Sequence, residues 1–174
     1  MSFHDDLEVL FTAEQLRQRV GELGAAITRD YRGQPLVVVC ILKGSFVFGA
    51  DLIRAIDLPL TVDFLGLSSY GAGTETSGVV RITSDLSRSI EGLQVLVVED
   101  IVDTGLTMEF LLENLSTRHP AGIRVCALLE KPSRAVKRLD LHYRGFTIPD
   151  SFVVGYGLDF DERYRNVPYI GVKH

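Results

Sequence analysis

Apolar positions recur along this chain in two rhythms, and their order predicts a layered domain. Leu16, Val20, Leu23 and Ile27 follow helical spacing. Thr12-Ala13-Glu14-Gln15 just ahead of them matches a capping box, in which the Thr12 side chain satisfies an amide that Gln15 reciprocates. A helix is therefore expected over Ala13 to Tyr31, broken by Gly33 and Pro35. Leu36–Leu42 (LVVVCIL) is an unbroken apolar run too short for a flanked helix, which is how a strand buried on both faces reads. Phe46–Ile56 reads as a helix closed by Pro59, Thr61–Leu67 as a strand, and Val79–Thr83 as its antiparallel return. Between these two strands, Ser68–Gly78 (SSYGAGTETSG) carries hydroxyls and glycines with almost no apolar anchor. That composition suits a lid beside a site and an idle hairpin tip about equally. Leu93–Val98 is the next buried strand, and Met108, Leu111, Leu112 and Leu115 mark a helix ending before Pro120-Ala121-Gly122. Ile123–Leu129 and Phe152–Tyr156 supply two further strands. Strands alternating with helices predict an α/β fold, a mostly parallel central sheet flanked by helices. Ligands of such sheets bind beyond the carboxyl ends of the strands.

Composition narrows the function classes. No repeat or low-complexity linker divides the 174 residues, a length suited to one domain with a real core. A net charge of −5 and a pI near 5.3 argue against a general nucleic-acid binder and leave room for a small anionic ligand. Cys40 and Cys126 lie inside apolar runs and read as small buried hydrophobes, not as metal ligands or a disulfide. His4, His119, His142 and His174 are scattered without metal spacing. The first residues lack the basic and apolar regions of a signal peptide, and no apolar stretch approaches bilayer length. The expectation is a cytoplasmic protein with no nucleic-acid or membrane partner.

The chemistry concentrates in Glu99–Thr107, EDIVDTGLT. Asp103 to Thr107 offers successive amides, two hydroxyls and a glycine that lets the chain curl, at a point where a helix opens. First-turn amides lack carbonyl partners and favour an anion, so a phosphate monoester fits. Glu99 and Asp100, just upstream, would repel a bare polyphosphate. They suit a metal or a neutral diol, whose hydroxyls would meet two ionised acceptors. Acid pair first and phosphate nest second suggests a ribose 5-phosphate. Plain helix capping needs one such acid, not three in five positions. A Walker loop is excluded because no Gly-Lys-Ser/Thr ending is present.

This nonamer resembles the phosphoribosyl-pyrophosphate signature of type I phosphoribosyltransferases, and the rest of the chain resembles their hypoxanthine (guanine) branch. Leu42-Lys43-Gly44-Ser45 is similar to the family's pyrophosphate loop, and Ser69-Tyr70 stands where its flexible catalytic loop does. Lys131-Pro132-Ser133-Arg134 and Ile148-Pro149-Asp150 through Asp159 resemble its purine-binding hood, followed by Arg163-Tyr164-Arg165. The hood would come from about 131–174 of a single domain spanning 1–174.

The resemblance implies displacement of pyrophosphate from phosphoribosyl pyrophosphate by a purine nitrogen. Glu99 and Asp100 would hold the ribose hydroxyls, directly or through magnesium. Thr104, Gly105, Leu106 and Thr107 would cradle the 5-phosphate, Leu106 by its backbone only, since some relatives carry a lysine there. Asp103 would accept the proton at nitrogen 7 as general base, with a purely electrostatic role as the competing reading. Lys43, Gly44, Ser69, Tyr70 and Arg165 would contact pyrophosphate. From its run alone Lys43 reads as a surface lysine, although the end of a buried strand is an expensive place for an idle charge. In relatives the peptide before it can be strained or cis. Lys131 would donate to the purine 6-oxo group, selecting against a 6-amino group. Phe152 would stack on the base, although alone Phe152 and Val153 read as core. The Val153 backbone would bond the base edge. Asp159 would line the purine site and ligate magnesium as part of a shell completed by water and substrate. The implied partners are phosphoribosyl pyrophosphate, a 6-oxopurine and further copies of the chain in a dimer or tetramer. A regulator that binds RNA, a non-catalytic nucleotide module and a pyrimidine transferase are the rival readings. The acidic balance, the shared purpose of Lys43 with Asp103, and Lys131 with Phe152 count against them in turn.

Overall fold

An apolar run with no polar face has to lie between other strands, and β2 (Leu36–Leu42) does. In the computed structural model, which describes residues 6–69 and 80–174, it is flanked by β3 (Leu60–Ser69) and β5 (Gln94–Val102), both parallel to it. Beyond β5 come β6 (Gly122–Glu130) and β7 (Tyr143–Thr147), also parallel; β4 (Val80–Ser84) closes the other edge antiparallel to β3. The six-stranded order is thus β4-β3-β2-β5-β6-β7.

Alternation along the central strands divides the core between two faces. Val38, Cys40, Leu96 and Val98 pack with Leu16, Val20 and Ile27 of α1 (Ala13–Asp30) and with Phe48 and Leu52 of α2 (Phe46–Ala55). Val37, Val39, Val95 and Val97 pack with Met108, Leu111 and Leu115 of α3 (Leu106–Ser116). The capping box forms as expected. Gln15 N donates to Thr12 Oγ1 at 3.2 Å, and Thr12 N donates to Gln15 Oε1 at 2.9 Å. Tyr31 caps α1 and lies outside it. Both cysteines are free and buried; burial pushes the Cys40 thiol up to about 11 and the Cys126 thiol further, so both act as apolar filler.

Three features depart from the sequence expectation. First, β5 does not end at Val98 but continues through Glu99, Asp100 and Ile101, because β6 runs alongside with Glu99 opposite Ala127 and Val102 opposite Glu130. The acid pair therefore belongs to a strand and not to a loop. Second, β8 is only Val153–Val154 and lies outside the main sheet, in a small antiparallel sheet of order β1-β9-β8 with β1 (Leu7–Phe11) and β9 (Ile170–Lys173). Third, that sheet draws β1 from the opposite end of the chain, with Leu7 opposite Lys173, a strand pair that the hydrophobic pattern did not suggest. The Tyr156 hydroxyl ties this layer to α2 through a bond to Asp51 (2.5 Å). Tyr70 and nearly all of the Ser68–Gly78 stretch lie outside the described residues; Ser69 ends β3 with its backbone opposite Val80. Among the described residues no helix is long and apolar enough to cross a membrane.

Asp63 anchors the segment after β4 to β3. Its carboxylate accepts the amide of Phe64 (2.8 Å), the amide of Ser87 (2.8 Å) and the Ser87 hydroxyl (3.0 Å). Burial pushes its pKa up, but these donors outweigh burial and hold it below the usual carboxylate range. A depressed folded pKa stabilises the fold above the unfolded value, about 3.9, and that contribution is lost as pH falls through the folded value. Asp63→Ala is expected to destabilise the protein by about 1–3 kcal/mol at pH 7, with the deficit shrinking below about pH 4. Denaturant unfolding at both pH values checks this; a deficit that does not change with pH would rule out the carboxylate as its source.

Candidate functional site

Several of the residues singled out in the sequence lie at the carboxyl ends of β2, β5 and β6: Lys43 and Gly44 after β2, Glu99 to Thr107 at the end of β5, and Lys131 after β6. A cavity of about 150 Å³ is lined by Glu99 to Gly105, Thr107 and Met108. Leu106 is the one member of the nonamer that does not line it, and Met108, read only as a core residue, does. Gly105 caps α3 at φ +85° without a side chain, and Glu109 N donates to Gly105 O at 2.9 Å to begin the helix. The wall of the cavity is thus the amide-rich first turn of α3, whose positive end favours an anion. A second cavity of about 230 Å³ adjoins it, lined by Gly44, Ser68, Glu99, Asp100 and Thr107 among others.

The two acids differ in environment. Glu99 is 8% exposed, and its Oε1 accepts the Asp100 amide at 3.0 Å. Burial and then the neighbouring Asp100 raise its pKa well above the ordinary value. Of the two acids read as acceptors, Glu99 is thus the one whose charged form burial disfavours. Asp100 accepts the Ile101 amide at 2.7 Å and lies directly against Gly44. A Cβ at position 44 would stand 1.7 Å from Asp100 Oδ2, and one at Gly157 would stand 2.3 Å from the Gly44 carbonyl oxygen. Three chain segments thus meet where two of them carry no side chain.

Asp103 follows β5 and receives a hydrogen bond from Arg134 Nε at 2.7 Å. Arg134 also lies 3.5 Å from Asp150, which is 3.8 Å from Lys131 Nζ. Asp103 and then Asp150 raise the already high pKa of the Arg134 guanidinium. Lys131 is only 8% exposed at the end of β6. Neither Arg134 nor Asp150 was assigned a role from sequence; both sat in segments quoted only as motifs, with no spacing signal to separate them from surface charge.

The Lys43 side chain is 67% exposed and pairs with Glu162 at 3.1 Å, as a surface lysine at a strand end does. Lys43 and then Arg165 hold Glu162 below the usual carboxylate range. The Leu42–Lys43 peptide is cis. Arg165 donates to the Gly157 carbonyl (2.8 Å) and pairs with Asp159 (3.0 Å) and Glu162 (3.3 Å). It lines a cavity of about 770 Å³ between α1 and α2 rather than the two cavities at β5. Asp159 also accepts the Glu162 amide at 2.9 Å. It is thus part of its own charged turn, and among the described residues no three His, Cys, Asp or Glu side chains converge as a metal cage. Phe152 is 52% exposed, with Phe160 edge-on at 5.7 Å, whereas Val153 is buried in β8.

Comparison with known proteins gives one answer. A family model described as phosphoribosyl transferase domain matches residues 7–161. A hypoxanthine-guanine phosphoribosyltransferase of Mycobacterium avium is 54% identical over 173 residues, covering 96% of this chain and 85% of that protein. The crystal structure of a hypoxanthine phosphoribosyltransferase from Staphylococcus aureus superposes with a TM-score of 0.94 at 49% identity, over 98% of this chain and 94% of that one. A mutant hypoxanthine phosphoribosyltransferase from Trypanosoma cruzi, described as a ternary substrates complex, superposes at 0.89 with 42% identity, over 96% and 95% of the two chains.

The contact between Gly44 and Asp100 gives a direct test of how the rim is built. Gly44→Ala is expected to displace Asp100 and lower stability by about 1–3 kcal/mol, the usual range for overpacking. Adding Asp100→Ala should recover most of that loss in thermal unfolding, because the two changes share one contact. Strictly additive losses would place the effect elsewhere.

Proposed function

The chain belongs to the phosphoribosyltransferase family, in its hypoxanthine-guanine branch, and from that premise we propose that it transfers the 5-phosphoribosyl group of phosphoribosyl pyrophosphate to hypoxanthine or guanine. The products are the purine nucleoside monophosphate and pyrophosphate, the chemistry of purine salvage. The observation that carries the reading is the cavity running from Glu99–Asp100 to the first turn of α3, with Lys131 on the adjacent strand end.

In this reading the 5-phosphate sits against Thr104, Gly105, Leu106 and Thr107, in the field of the α3 N-terminus. Asp100, with Glu99 behind it, receives the ribose hydroxyls. The bond from the sugar C1 to the pyrophosphate oxygen breaks as the bond to purine nitrogen 9 forms, and the proton on nitrogen 7 passes to Asp103. Lys43, the Gly44 turn, Ser69, Tyr70 and Arg165 meet the pyrophosphate. Lys43 then exchanges an exposed pair with Glu162 for the substrate, and solvent-exposed pairs are weak enough to give up. Lys131 donates to the 6-oxo group, Phe152 covers the ring with an accessible face, and the Val153 backbone and Asp159 complete the purine site.

Magnesium enters as part of the substrate complex. The ion is satisfied by one or two carboxylates, water and substrate oxygens, and this chain offers that in Asp100 or Asp159, with Glu99 weakened as a ligand by burial. When bound it would neutralise charge on the departing pyrophosphate. We further propose a single domain over 1–174, a cytoplasmic location, and a homo-oligomer, dimer or tetramer. Val62 and Phe64 share the α2 face of the sheet with Val38 and Cys40 and stay exposed, as does Phe46 at the start of α2, which suits self-association. Sedimentation velocity checks the last point, with a monomer at working concentration as the contrary result.

Incubation with magnesium, phosphoribosyl pyrophosphate and each base in turn tests the activity: hypoxanthine or guanine should yield nucleotide and a pyrimidine should not. Failure of both 6-oxopurines would refute the reading. Lys131→Ala is expected to lower kcat/KM for the 6-oxopurine by tenfold or more, following the loss of about 1.5–3 kcal/mol for a charged hydrogen bond. Unchanged discrimination against adenine would remove Lys131 from the base site.

A further inference from the structure

Asp103 is bracketed by one short segment of chain. The Lys131 amide donates to the Val102 carbonyl (3.0 Å), and the Val136 and Lys137 amides both donate to the Thr104 carbonyl (3.0 Å each). These bonds fall one residue to either side of Asp103. The 3-10 turn Pro132–Arg134 spans the gap between them, with Arg134 N donating to Lys131 O at 3.1 Å. From this turn Arg134 reaches back to Asp103 Oδ1 through Nε, at 2.7 Å. Its Nη1 lies 3.5 Å from Asp150 Oδ2, and Asp150 Oδ1 lies 3.8 Å from Lys131 Nζ. Carboxylate, guanidinium, carboxylate and ammonium thus form one chain across the end of the sheet.

Stability does not account for this chain. The Arg134 side chain is 46% exposed and its two partners are comparably open, and solvent-exposed pairs of this kind stabilise a fold little. Geometry accounts for it better. Nitrogen 7 and the 6-oxygen are neighbours on one edge of a 6-oxopurine, so an acceptor for the first and a donor for the second must keep a fixed separation. A guanidinium carries several donors in a rigid plane and can hold two carboxylates in set directions, which an ammonium cannot. The single bond to Oδ1 leaves Oδ2 of Asp103 available to the base.

We propose that Arg134 is a positioning residue that orients the Asp103 carboxylate toward purine nitrogen 7 and, through Asp150, keeps it in register with Lys131 at the 6-oxo group. This rests on the reading of Asp103 as proton acceptor and Lys131 as the base-reading cation. Arg134 does not touch substrate; it acts through Asp103.

Steady-state kinetics of Arg134→Gln, Arg134→Lys, Asp103→Asn and the double variant Arg134→Gln/Asp103→Asn test this. Arg134→Gln should lower kcat by about tenfold or more and leave KM for phosphoribosyl pyrophosphate within about twofold. Arg134→Lys should recover only part of the loss, since it restores charge without the planar fork. If Arg134→Gln does not fold, Arg134→Lys carries the test by the same split between kcat and KM. The double variant should be no slower than Asp103→Asn, because both changes disable one unit. Wild-type turnover in Arg134→Gln beside a slow Asp103→Asn would overturn the proposal, and so would losses that multiply in the double variant. Wild-type turnover in Asp103→Asn would instead overturn the underlying reading of Asp103, and the proposal with it.

Discussion

The end of β5 is locked to its neighbours by contacts that admit no side chain. The Asp100 carboxylate rests on Gly44, and the Gly44 carbonyl rests on Gly157, so the acid pair, the turn after β2 and the loop after β8 share one position. The central sheet brings these strand ends to a common edge, but only bare backbone lets them close to this distance. The first turn of α3 and Lys131, to which the proposed function assigns the phosphate and the base, are placed relative to that contact. A change that shifts Gly44 would therefore move groups that the proposed function assigns to different parts of one ligand.

Charge at the cleft follows a second rule: cations that would meet an anionic substrate already hold carboxylates. Lys43 holds Glu162, and Arg165 holds Asp159 and Glu162. The Lys43 pair is exposed and cheap to exchange, so on the proposed reading binding would swap its carboxylate for a phosphate instead of desolvating a bare charge. Glu99 is the exception, since burial and Asp100 discourage its ionisation.

The sequence made the central strands legible because burial on both faces leaves a run such as Leu36–Leu42 with no polar position. It made α1 legible because Thr12 and Gln15 cap it locally. It hid β1, β7 and β9, which are short, lie at edges or in the small sheet, and owe their form to distant partners, as Leu7 does to Lys173. It also disguised Glu99–Val102, whose acids look like loop until β6 is seen beside them. In the site, the nonamer was readable because its chemistry is contiguous. Arg134, Asp150 and Glu162 were not assigned roles, because what gives them meaning is a partner in another segment and exposed charges leave no pattern in sequence.

The account stands most directly on where one nucleotide lies. A crystal structure of the protein with inosine monophosphate should place the phosphate against Thr104, Gly105 and Thr107, nitrogen 7 within hydrogen-bond reach of Asp103, and the 6-oxygen at Lys131. A phosphate seated elsewhere, or a base turned away from Asp103 and Lys131, would contradict it.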